Sequence, residues 1–169
     1  MEPSGLRRLL GWREAALTSP LTPGECQRRL REVIDGRGTL FGNRPVIGSV
    51  GDGRASLRRR TWYRNSFQTV LAVNLEADGS HTLLKCRSGM SPYVVGFMGV
   101  WFAIVVLIGA VAGTAGVAVQ GTPWIMAAAP LFMFAFGAAM VVFGRYLARG
   151  EHDFLMDFLL KTTDARPAS

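Results

Sequence analysis

The chain has 169 residues, with 19 Lys+Arg against 12 Asp+Glu, a formal net charge of +7. Every charge lies on one side or the other of a long uncharged stretch that runs from Ser88 to Gly144. A chain this short cannot surround two uncharged helices of that length, which argues against a soluble core built from them. Two cysteines, Cys26 and Cys86, stand far apart and without histidines at ligand spacing, so neither a zinc site nor a disulfide framework is expected.

Residues 1–20 place Leu6, Leu9, Leu10 and Leu17 at roughly helical spacing, with Arg7, Arg8, Arg13 and Trp12 among them. Two readings stay open: a basic amphipathic helix lying on a bilayer surface, or a disordered terminus.

Residues 21–91 read as a small α+β domain. Thr22-Pro23-Gly24-Glu25 has the form of a capping box, with proline at the first helical position. The helix it opens runs over 22–35. Cys26, Leu30, Val33 and Ile34 share one face, and Glu25, Arg28, Arg29, Arg31 and Glu32 point away. Asp35-Gly36 should end it, with Gly36 in the left-handed conformation. After a loop over 38–45, about four antiparallel strands are predicted: Pro45–Val50, Ala55–Arg64, Phe67–Glu76 and His81–Arg87. Gly51-Asp52-Gly53 and Ala77-Asp78-Gly79-Ser80 are the turn signals. Phe67, Leu71, Val73 and Leu75 fall on one face of the third strand, and Leu84 and Cys86 on one face of the fourth. Such a meander needs one face covered.

This domain carries the basic excess. Residues 1–91 hold 15 Lys+Arg against 8 Asp+Glu, whereas from Arg145 onward there are 4 of each. The densest group is Arg54, Arg58, Arg59, Arg60 and Arg64, interleaved with Trp62 and Tyr63, and Lys85 and Arg87 are expected on a neighbouring strand. Alternation would put Arg58, Arg60, Trp62 and Arg64 on one side. Such a face suits phosphate headgroups or an acidic protein surface, or it is a solvated face that only sets topology. A membrane tether makes nucleic acid an unlikely ligand for it.

Residues 92–149 read as two membrane-spanning helices. Tyr93–Ala118 and Thr122–Gly144 contain no charged side chain, and about 20 apolar residues cross a hydrocarbon core. Thr122 and Pro123 suit the start of the second helix, and Trp124 and Tyr93 suit interfaces. The connecting turn lacks Lys and Arg while Arg145 and Arg149 follow the second span, so both termini are expected in the cytoplasm. Gly109, Gly113 and Gly137 are candidate helix-packing positions, between the two spans or along a dimer seam. Pro130 should kink the second helix. The absence of ionisable residues within the spans weighs against a proton or ion pathway.

Residues 150–169 read as an amphipathic helix and a disordered tail. Phe154, Leu155, Phe158 and Leu159 recur at helical spacing, and 162–169 look disordered. The helix is expected to continue from the second span and fold back on the sheet or the bilayer.

No phosphate loop, GxSxG, HExxH or CxxC pattern occurs, and His81 and His152 are isolated. No catalytic residue, cofactor or metal site is therefore assigned. Arg outnumbers Lys 17 to 2, a composition associated with GC-rich bacterial genomes. The LTPGE start (Leu21–Glu25), the YRNSF run (Tyr63–Phe67) and the FGRYLA run (Phe143–Ala148) resemble a family of small two-span bacterial membrane proteins with an N-terminal helix-plus-meander domain. The resemblance implies architecture and no activity. The expectation is a non-enzymatic accessory or scaffold protein of the cytoplasmic membrane, with membrane lipids, a larger membrane complex or a second copy of itself as partners. A lipid-binding, surface-sensing module is the alternative, and a lipid-headgroup enzyme a more distant one.

Overall fold

The computed structural model describes residues 12–36, 38–39, 42–62, 65–118 and 124–168. They form two compact units, one from the chain up to Ser91 together with Ala148 onward, the other from Pro92 to Leu147.

The first unit is a seven-stranded mixed sheet with two helices on one face. Its strands are β1 (Arg13–Ser19), β2 (Asp35–Gly36), β3 (Val46–Gly51), β4 (Arg54–Arg59), β5 (Thr69–Asp78), β6 (His81–Met90) and β7 (Arg166–Pro167). Their order across the sheet is β2-β3-β4-β5-β6-β1-β7. All pairs are antiparallel except β2 with β3. The central meander β3–β6 matches the expected four strands. Asp52 and Gly53 both take positive φ in the two-residue turn between β3 and β4, as a right-twisted hairpin requires. Gly79, at positive φ, leads the two-residue turn between β5 and β6.

The sheet is wider than the sequence suggested because both ends of the chain join it. Arg13–Ser19, expected to be helical or disordered, pairs along its own full length with β6, from Arg13↔Ser88 to Ser19↔Thr82. Leu17 faces the core, so the apolar spacing there served a strand. Residues 1–11 of that expected segment lie outside the described residues. At the other end, the region expected to be disordered is ordered through Ala168. Asp164 closes the last helix in the left-handed conformation, Ala165 is buried, and Arg166–Pro167 pairs with β1. Both outer strands of the sheet are thus only two residues long, which leaves little free edge for another chain to pair with.

Helix α1 (Pro23–Val33) begins where the capping residues put it. The Thr22 hydroxyl accepts from the Glu25 N–H at 3.3 Å. The Glu25 carboxylate does not return to the cap; it binds Arg28 and Arg29, which hold its pKa down to about 2. Gly36 is not left-handed. The helix closes on extended Ile34, whose N–H bonds the Leu30 carbonyl, and Asp35–Gly36 leaves as β2.

Helix α1 and the last helix of the chain cover the sheet together. The last helix of the chain (Glu151–Thr163, helix α4 in chain order) presents Glu151, Leu155, Leu159 and Thr163 inward, one residue per turn, with Phe154 and Phe158 half-buried beside them. Leu155 and Leu159 meet Cys26 and Leu30 of α1 and Leu57, Leu71, Val73, Leu84 and Cys86 of the sheet in one core. The helix does not run on from the second apolar one: a turn at 148–150 with Gly150 at φ 80 separates them. Two buried hydroxyls are matched: Ser19 Oγ donates to the Thr163 carbonyl at 2.5 Å and Thr82 Oγ1 to the Leu21 carbonyl at 2.6 Å.

The second unit is a pair of helices, α2 (Pro92–Ala118) and α3 (Trp124–Leu147). Both are long and apolar enough to cross a membrane. They pack on each other through small residues and rings. A Cβ at Gly109 would meet Pro130 at 3.3 Å, and one at Gly137 would meet Trp101 Nε1 at 3.1 Å. The Phe102 and Phe134 rings lie 5.0 Å apart. Gly113 has open space where its side chain would be. The connecting turn, with Thr122 and Pro123, lies outside the described residues, as does the side chain of Trp124.

Candidate functional site

The sheet has one covered face and one open face, and the register sorts the predicted basic residues between them. On β4, Ala55 and Leu57 are buried, so Arg54, Ser56 and Arg58 project to the open face and Arg59 to the covered one. The strand ends at Arg59, so Arg60 and Trp62 do not extend the line. Arg58, Arg60 and Trp62 therefore do not form the single strand face expected; Tyr63 and Arg64 of that reading lie outside the described residues.

Three of these cations are already matched. On the open face Lys85 Nζ meets Glu76 Oε2 at 2.6 Å, and Arg87 Nε meets Glu14 Oε1 at 3.2 Å across the β6–β1 pair. Arg60 binds Asp35 Oδ2 at 2.7 Å and donates from Nε to the Arg44 carbonyl at 3.0 Å. Arg44 in turn donates to the Ile34 carbonyl at 2.5 Å, so this pair ties the 42–45 loop to the end of α1. These contacts were invisible in sequence because Glu14, Asp35 and Glu76 are distant in the chain from the cations they neutralise.

Three of the predicted cations lack a carboxylate at hydrogen-bonding distance among the described residues: Arg54, Arg58 and Arg59. Arg54 is exposed beside the β3–β4 turn. Arg58 and Arg59 sit at the other end of β4, where a cleft of about 320 Å3 opens between that strand and the start of β5. Arg58, Arg59, Thr61, Asn65, Ser66 and Gln68 line it, with Ile47 beneath, and no acidic side chain does. Arg58 Nε is buried without a hydrogen-bond partner. The Arg59 guanidinium lies 4.6 Å from the centre of the Phe154 ring. The opposite wall is a rigid turn. Asn65 Oδ1 accepts from the Phe67 N–H at 2.9 Å, and Gln68 Nε2 donates to Thr61 Oγ1 at 2.5 Å.

Behind Arg59 lies a carboxylate that the sequence reading passed over. Glu151 is 1% exposed. Its Oε2 accepts the N–H of Thr69, the first residue of β5, at 2.7 Å, and Oε1 is buried without a partner. Burial pushes the carboxyl above the ordinary range, while the Thr69 N–H and the Arg59 charge pull it back. The next residue, His152, shares a 2.7 Å hydrogen bond with Ser88 Oγ, and burial lowers its pKa. These groups fasten the first turn of α4 to the ends of β5 and β6. The one hint in sequence was a Glu at a helix start followed every fourth residue by Leu155, Leu159 and Thr163.

Cys26 and Cys86 are buried and free, and burial drives the Cys86 thiol up to about 12. A larger cleft of about 600 Å3 is lined by Gly42, Asn43, Arg44, Pro45, Arg60, Thr61 and Trp62, but its two arginines are held by Asp35 and by backbone carbonyls. Trp62 is fully exposed. Trp12 lies flat on Gly89 of β6, at a position where any Cβ would collide with the indole. No protein-family model, curated protein or solved structure matches this chain.

Proposed function

We propose that this protein is a non-enzymatic accessory protein of the bacterial cytoplasmic membrane. Helices α2 and α3 are its two-span anchor, both termini lie in the cytoplasm, and the basic α+β domain contacts anionic lipid or an acidic partner at the inner surface. The observation that carries the reading is the outward face of the helix pair. Leu107, Leu131, Phe132 and Val142 are each more than 60% exposed, in helices that hold no ionisable side chain between Pro92 and Gly144. In water such a surface would be strongly unfavourable, at roughly 25 cal/mol per Å2 of apolar area; hydrocarbon removes that cost. The charge distribution supports the orientation.

Service as a small subunit of a larger membrane complex is the form of the proposal that the lipid-facing surface best supports. Gly109 and Gly137 are occupied by α2–α3 packing, which leaves Gly113, with Gly96 and Gly99, as small positions of α2 open to a neighbouring helix. Extraction of native membranes with mild detergent should bring down a stoichiometric membrane partner. Recovery only as a monomer or homodimer would remove the subunit role. A Gln120→Cys variant should react with an impermeant maleimide from outside spheroplasts, and labelling only after lysis would reverse the orientation. The second reading, a lipid-binding module, is favoured by the Arg58–Arg59 cleft.

A further inference from the structure

We propose that the cleft between the end of β4 and the start of β5 is a binding site for the phosphate of an anionic lipid headgroup. This rests on the membrane-anchored reading above and goes further by assigning a ligand class and the residues that take it.

Three features converge. First, the cleft holds positive charge without a carboxylate. Lys85, Arg87 and Arg60 are each bound to a carboxylate, whereas Arg58 has none within hydrogen-bonding distance and, among the described residues, no acidic side chain lines the cleft. Second, Arg58 Nε is already withdrawn from solvent without a hydrogen-bond acceptor. A buried donor left unpaired is unfavourable, and a phosphate oxygen is an acceptor that restores the bond with charge assistance. Ser66 lines the facing turn, while the Arg59 guanidinium sits on the covered face against the Phe154 ring and does not enter the same contact. The planar fork of Arg58 with a neighbouring hydroxyl suits the acceptor oxygens of a phosphate.

Third, the cleft lies at the end of the domain where the chain leaves it. Gln68 precedes Thr69, which pairs with Met90, the last residue of β6, and α2 starts at Pro92. Two residues span at most about 7 Å, so the cleft end of the sheet is the end joined by a short segment to α2. Arg54 stands at the opposite end of the same strand. Five residues of strand put about 17 Å between it and Arg59, so it supplies a control with the same charge and the wrong place.

The test uses the full chain in an uncharged maltoside detergent and isothermal titration. Dihexanoyl phosphatidylglycerol, inorganic phosphate and uncharged dihexanoylglycerol are titrated separately. Saturable binding of the phosphatidylglycerol is expected, weakened about tenfold or more in Arg58→Ala, and less than twofold in Arg54→Ala and in Arg59→Ala, whose guanidinium lies on the covered face. Arg58→Lys, which keeps the charge and loses the planar fork, should fall between the unaltered protein and Arg58→Ala. It keeps the test decisive if Arg58→Ala melts early by circular dichroism.

Equal weakening by Arg54→Ala would reduce the effect to general surface charge and overturn the site, as would equal binding of dihexanoylglycerol. Inorganic phosphate saturating with the same ranking while phosphatidylglycerol does not would overturn the lipid source. Membrane fractionation separates the two levels of the reading. A chain that stays with the membrane but binds no phosphatidylglycerol loses the site and keeps the anchor; a chain found in the soluble fraction loses both.

Discussion

In the α+β domain Leu30, Leu57, Leu71, Leu84, Leu155 and Leu159 are wholly buried, and charged side chains cover the outside. In the helix pair the large apolar residues point outward, while Gly137, Pro130 and Val105 occupy the contact between the helices. The domain hides its apolar surface from water; the pair displays it. One physical rule accounts for both, because each unit places its apolar groups away from water and only the surrounding solvent differs. The difference teaches where stability resides: in the domain it comes from apolar burial, and in the pair from close contact between small residues and rings.

The sharpest way to break this comparison is to truncate a leucine in each unit. Leu159→Ala should cost about 2–5 kcal/mol in chemical denaturation of the detergent-solubilised chain, since it opens a cavity among α1, α4 and the sheet. Leu131→Ala, on the outward face of α3, should change stability by no more than about 0.5 kcal/mol. Comparable losses at the two positions would mean that Leu131 is covered by protein.

A smaller effect tests the helix contact. Gly137→Val places a side chain against Trp101 and Phe102, and overpacking of this kind costs about 1–3 kcal/mol, read as a lowered melting temperature. Gly113→Val meets nothing and should leave the isolated chain unchanged. If Gly113→Val instead lost a co-purified partner, that would locate the partner's seam.

Glu151 gives a pH dependence confined to the domain. Burial raises its folded pKa above the ordinary 4.5, so over the interval between the two values the folded chain holds a proton that the unfolded chain has released. The associated stability is complete below 4.5 and is lost as pH rises through the folded value. Melting temperatures should therefore decline across that interval in the unaltered protein, and Glu151→Gln should flatten that part of the profile. An unchanged profile in Glu151→Gln would show that another group sets it. The smallest effect belongs to the open sheet face. Glu14→Ala removes the exposed Arg87 pair and should cost less than about 1 kcal/mol, diminishing further in high salt.

Local patterns carried much of the domain. The capping residues at Thr22–Glu25, the Asp52-Gly53 turn and the alternation of Leu71, Val73 and Leu75 each depend on neighbours within a few positions, and each was readable. Arg13–Ser19 and Arg166–Pro167 were not readable as strands. β1 and β7 form because β6 and β1 offer them hydrogen-bonding edges, a condition set far away in the chain. The basic cluster was legible as a composition and not as a site. Its division depended on where β4 stops and on which carboxylates other strands bring alongside.

The sequence by itself determined that this chain has two uncharged helices long enough for a bilayer and a basic domain beside them, because length, charge and periodicity are properties of contiguous residues. Only the tertiary structure decided that both ends of the chain complete one sheet, that α1 and α4 share its cover, and that Arg58 is left without a carboxylate while Arg60, Lys85 and Arg87 are paired. Those outcomes depend on register and burial among residues up to about 150 positions apart, such as Leu17 with Pro167, and local pattern holds no record of such distances.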